Sequence, residues 1–108
     1  MEEKRQACPR IATNIRIAFQ DSGAPVSSYI LNLSSGGIFI KTDDPPPVDS
    51  TVSLRFHLPG DLEPINIEGR VVWIKQTGNS FPSGMGIEFT EISPLHKQKI
   101  HAFVESRI

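Results

Sequence analysis

Two short segments of this 108-residue chain carry side chains whose types and spacing could do chemistry. The first is Lys4-Arg5-Gln6-Ala7-Cys8-Pro9-Arg10. Arginine presents a planar fork of donors that fits phosphate oxygens and the acceptor edge of guanine, and its flat face stacks on a base. The second is Asn32-Leu33-Ser34-Ser35-Gly36-Gly37. Asparagine and serine can fix a turn through local backbone bonds and still offer polar edges outward. Glycines lack a Cβ, so another molecule can approach the backbone closely there. Each segment also has an ordinary reading: a solvated terminal arm for the first and a plain hairpin turn for the second.

Groups that could catalyse are scattered. His57 falls on the polar side of a strand, and His96 and His101 are spaced so that they do not face one site on a helix. Cys8 is the only thiol, and Asp43 and Asp44 stand beside a run of prolines that reads as a solvated turn. No HExxH, no paired cysteines and no carboxylates at ligand spacing occur. Gly84-Met85-Gly86 is not a dinucleotide fingerprint, because a strand rather than a helix follows it. The sequon Asn32-Leu33-Ser34 would matter only in a secreted protein. The expectation is a protein that is not an enzyme, with no metal and no cofactor.

Composition narrows the partners. The formal net charge is −1, whereas a protein that holds DNA or RNA through phosphates needs a strong positive excess. Single-stranded nucleic acid would need stacking aromatics along a basic groove, and aromatics are 7 % of the chain, most at inward strand or helix positions. A small anionic ligand needs only a few placed donors. One cysteine allows no internal disulfide and points to a reducing compartment. The start Met-Glu-Glu-Lys-Arg has no apolar region behind it, and no apolar run reaches the roughly 20 residues that span a bilayer. The expected location is cytoplasmic, with no membrane insertion.

The elements that must position the two segments are strands. From Asn14 to Glu91 apolar residues mostly recur with a period of two. Ile15, Ile17 and Phe19 mark a first strand, Ser27–Leu31 a second and Ile38–Thr42 a third, with 32–37 as the turn between the latter two. Val52, Leu54, Phe56 and Leu58 mark a fourth. Ile65, Ile67, Gly69, Val71 and Trp73 share one face of a long fifth, where Gly69 reads as a bulge. Met85, Ile87 and Phe89 mark a sixth. Ser93-Pro94 is a good helix start, followed by Ile100, Phe103 and Val104 at helical spacing. The predicted fold is mainly β: a small six-stranded antiparallel barrel over 14–108 with a C-terminal α-helix, preceded by an arm over 1–13.

Taken together and in this order, the two segments resemble the signature of the PilZ domain family, an RxxxR segment ahead of the first strand and a [D/N]xSxxG turn after the second. Asn32-Leu33-Ser34-Ser35-Gly36-Gly37 completes the turn, whereas Arg5 and Arg10 give RxxxxR. Gly69-Arg70-Val71-Val72-Trp73 and Gly84-Met85-Gly86-Ile87-Glu88-Phe89 are similar to the family's later strands. The resemblance implies a stand-alone receptor for cyclic di-GMP. In that reading Arg5 and Arg10 grip phosphate or guanine, Asn32 and Ser34 meet a guanine edge and hold the turn, and Gly37 leaves room for the ligand. The output would pass to a partner protein in motility, type IV pilus biogenesis or surface behaviour. The resemblance also implies an alternative, a PilZ-fold interaction module in pilus or motility assembly that binds no nucleotide.

Overall fold

A computed structural model describes residues 9–76 and 83–108. The alternating sequence folds into six strands, β1 (Arg10–Gln20), β2 (Val26–Ser34), β3 (Gly37–Lys41), β4 (Thr51–Phe56), β5 (Ile65–Lys75) and β6 (Gly84–Glu91), followed by helix α1 (Pro94–Glu105). The strands close into an antiparallel barrel in the order β1-β2-β3-β6-β5-β4. Inward residues of every strand meet in one core. Ile30, Ile40, Val52, Ile65, Val71 and Met85 are fully buried there. Each such side chain contributes roughly 1.5–3 kcal/mol by leaving water.

Helix α1 starts as its sequence requires. Ser93 at the N-cap has an extended backbone and accepts the His96 N–H on its side chain, with Pro94 in the first turn. Ile100 and Val104 are buried in the barrel core. Asp61 and Lys99, 3.0 Å apart, tie the helix to the loop after β4. No helix among the described residues is long and apolar enough to cross a membrane.

The departures from simple alternation lie at bulges, where one extra residue turns the following side chains to the other face. The irregularity expected at Gly69 is present but belongs to the partner strand: Glu68 pairs with Glu91 while Gly69 pairs with Phe89, so the extra residue is Thr90 of β6 rather than one of β5. In β1 the pairing steps from Ala12 opposite Asn32 to Ile15 opposite Ile30, which inserts a residue at 13–14. Thr13 sits in this irregularity and donates its hydroxyl to the Ile30 carbonyl. The strand continues through it back to Arg10, four residues before the alternation begins to read clearly at 14.

Two further bulges change side-chain placement. Leu31 is the extra residue between Ile30 opposite Ile40 and Asn32 opposite Phe39. Asn32 and Ser34 therefore lie at the end of β2 rather than in a turn, and Gly37 already opens β3, so the connection is only Ser35-Gly36. Val72 is the extra residue between Val71 opposite Ile87 and Trp73 opposite Gly86. This overturns the expectation that Trp73 shares a face with Val71. Val71 is fully buried inside the barrel, while Trp73 lies on its outer surface at 45 % exposure.

Candidate functional site

The bulges bring the residues of interest onto one outer face. Across five strands, Ala12 stands opposite Asn32, Asn32 opposite Phe39, Phe39 opposite Gly86 and Gly86 opposite Trp73. Next to this row, Arg10 pairs with Ser34, and Gly37 pairs with Glu88, which pairs with Arg70. The two rows border a cleft of about 430 Å³ whose lining includes Arg10, Asn32, Ser34, Gly37, Trp73 and Glu88. That volume lies within the range of small-molecule sites.

Ser34 organises the turn. Its Oγ accepts the backbone N–H groups of Gly36 and Gly37, at 3.2 and 3.1 Å, and donates to the Gly37 carbonyl at 3.1 Å. The Phe89 N–H donates to the Gly36 carbonyl at 3.0 Å, so the turn is also fastened to β6. Asn32 and Arg10 differ from Ser34. Neither side chain has a hydrogen-bond or ionic partner among the described residues, and both border the cleft. They are available to a ligand.

Gly37 has a structural reason that its sequence context did not reveal. A Cβ on it would collide with the backbone carbonyl of Ile87. The missing side chain permits β3 to approach β6, rather than only leaving space for a ligand.

The aromatic floor of the cleft depends on two other glycines. Phe39 projects from β3 between inward-facing Ile38 and Ile40, and it is buried although it does not join the barrel core. A Cβ on Gly84 would strike the Phe39 ring, and one on Gly86 would strike the Trp73 indole. The two rings stack over this vacant strip with centroids 5.2 Å apart and planes inclined by 16°. Such a pair contributes about 0.5–1.5 kcal/mol beyond its area burial. Thus Phe39 and Trp73 line the site on the outer side of the sheet, and for Trp73 this reverses the expected face.

Besides Arg10, the cleft is flanked by a cluster of ion pairs. Arg70 contacts the Glu88 carboxylate at 3.1 Å and the Asp49 carboxylate at 3.4 Å. Glu88, missed in the sequence reading, borders the cleft directly. Its only signal was its place in the Gly-Ile-Glu-Phe segment of the sixth strand, where any polar residue would satisfy alternation. Arg5 lies outside the described residues, as does Cys8. Among the described residues no group of three or more His, Cys, Asp or Glu side chains could hold a metal ion.

A second cleft, of about 440 Å³, lies against β4, β5 and the residues leading into α1, with Arg55, Asn66, Glu68 and Glu91 on its walls. It contains neither Arg10 nor the Ser34–Gly37 turn. The chemistry therefore favours the first cleft as the candidate site, despite their equal size.

The PilZ domain family model matches residues 4–106, nearly the whole chain. The chain belongs to the PilZ domain family. Solved structures of PilZ proteins have the same fold. The Bacillus subtilis inhibitor of motility, MotI/DgrA, superposes with a TM-score of 0.86 at 21 % identity, over 97 % of this chain and 52 % of that one. The PilZ domain of YcgR from Escherichia coli, solved with c-di-GMP, gives a TM-score of 0.74 at 12 % identity, over 95 % and 91 %. The Borreliella burgdorferi PlzA protein, in complex with c-di-GMP, gives 0.63 at 19 % identity, over 93 % and 41 %. This PilZ chain thus spans about half the length of MotI/DgrA and less of PlzA. No match is found among curated proteins.

Proposed function

We propose that this PilZ domain protein is a cytoplasmic receptor for cyclic di-GMP, an adaptor that signals through a partner protein. The observation that carries the reading is the convergence of Arg10, Asn32, Ser34 and Gly37 on one cleft beside an aromatic surface. Arg10, fixed at the start of β1, grips a phosphate or the O6/N7 edge of guanine. Asn32 offers a free amide to a base edge, while Ser34 holds the turn in place. The exposed Trp73 ring adds a stacking surface, worth about 1–3 kcal/mol per base. Two PilZ proteins of like fold, YcgR and PlzA, were solved with c-di-GMP.

Arg5 supplies the second fork from the segment ahead of β1. Ligand contact with that segment changes the surface shown to a partner, which is how a domain without chemistry of its own can switch another protein. Motility is one output consistent with the likeness to an inhibitor of motility; type IV pilus biogenesis and surface behaviour are others.

The five-residue step from Arg5 to Arg10, in place of four, favours a second reading, an interaction module of PilZ fold that binds no nucleotide. A missing charged clamp forfeits roughly 1.5–3 kcal/mol, about ten- to a hundredfold in affinity. Calorimetric titration with cyclic di-GMP, with GTP as control, separates the two. Saturable binding of the cyclic dinucleotide alone supports the receptor. No heat for wild type, restored by Gln6→Arg, means the lost spacing made it an adaptor without ligand. No heat in either protein overturns the receptor reading.

A further inference from the structure

Glu88 is an unexpected group in a cleft meant for an anion. A carboxylate there repels phosphate unless something neutralises it, and Arg70 does so at 3.1 Å. Arg70 is itself held from the other side by Asp49 at 3.4 Å, so the guanidinium is braced between two acids. Glu88 and Arg70 are about half exposed, and an ion pair in that setting adds little to stability. Holding the barrel together is not a sufficient reason for the pair.

The geometry leaves Glu88 able to do more. Its cross-strand neighbour on the cleft side is Gly37, which has no side chain to cover it. Arg70 touches Oε1, and Oε2 has no partner among the described residues. A carboxylate has about four lone-pair positions, so both oxygens can still accept a hydrogen bond. With Arg10 and Asn32 on the same cleft, the wall presents donors at one side and a braced acceptor at the other.

Guanine has the matching pattern. One edge carries the O6 and N7 acceptors that an arginine fork fits, and its Watson–Crick edge carries two adjacent donors, N1–H and the N2 amino group. Adenine places an acceptor, N1, where guanine has its N1–H, and a carboxylate facing it meets a lone pair. We infer that Glu88, oriented by Arg70, is the residue that makes this cleft select guanine by accepting its N1–H and N2–H donors. The inference rests on the cleft being the cyclic di-GMP site.

The test is calorimetric titration of wild type, Glu88→Gln and Arg10→Ala with cyclic di-GMP and with cyclic di-AMP, the same ring bearing adenine. Glutamine keeps one acceptor but sets an amino group against the guanine amino group. Glu88→Gln is expected to lose about ten- to a hundredfold in cyclic di-GMP affinity. Its affinity for cyclic di-AMP is expected to stay level or rise, so that discrimination narrows. Arg10→Ala is expected to abolish cyclic di-GMP binding, which ties the titrated site to this cleft. Unchanged affinities in Glu88→Gln overturn the role of Glu88 and leave the receptor reading standing. Equal losses for both ligands in Glu88→Gln overturn it as well, because the residue then does not read the base. Failure of wild type to bind either ligand overturns the receptor reading and this inference with it.

Discussion

The indole of Trp73 lies over the backbone of Gly86, in the space that any other residue's Cβ would fill. Gly86→Ala should therefore push the ring off the sheet and break its stack on Phe39. Overpacking of this kind costs about 1–3 kcal/mol. Trp73 is the only tryptophan, so its emission reports the event directly. A red-shifted spectrum and a lower urea midpoint are expected; an unshifted spectrum would show that the strand can absorb the methyl group.

Arg10→Ala should abolish cyclic di-GMP binding and leave stability within about 0.5 kcal/mol, as for surface changes away from buried features. The residue is exposed and without a partner among the described residues. Thermal unfolding and calorimetry on the same sample check both halves. A large fall in the melting temperature would mean that the arginine serves the fold.

Ser34→Ala removes the oxygen that receives two backbone N–H groups and donates to a carbonyl. The expected cost is about 1 kcal/mol of stability, together with weaker ligand binding through a loosened turn. Faster amide exchange at Gly36 and Gly37, with the exchange in β4 and β5 unaltered, would locate the effect.

Asp61 gives the fold an acid-dependent contact. Its carboxyl is held below the ordinary value of 3.8, first by the backbone N–H of Glu63 and then by Lys99. A lowered carboxylate pKa stabilises the fold above the ordinary value, and that contribution disappears as pH falls through the lowered one. The stability gap between wild type and Asp61→Asn should accordingly narrow across that acid window. A gap independent of pH in urea unfolding would refute the assignment.

The barrel and its helix were legible because their signals are local. Ile65, Ile67 and Val71 alternate without interruption, and Ser93-Pro94 caps a helix with standard chemistry. Arg10, Asn32, Ser34 and Gly37 were legible as a set, and the structure brings these four to one cleft. Trp73 was misplaced because a bulge adds one residue, Val72, and a period of two carries no mark of such an insertion. Glu88 was missed for a different reason. Its meaning comes from Arg70 and Gly37, which are its neighbours across strands and not along the chain.

Among the described residues, the closure of the barrel has a gap in its pairing. β4 meets β1 only from Ile17 to Gln20, so residues 10–16 have a described strand partner on their β2 side alone. A bare stretch of strand is a template on which a neighbouring molecule can grow a continuous sheet, the first step toward fibrils. Here the template is spoiled by the inserted residue at 13–14 and by the charges of Arg10 and Arg16. The arginine that we propose for the ligand would thus also discourage self-assembly. Replacing it should make the protein more prone to aggregate in concentrated solution, even where the melting temperature is unchanged.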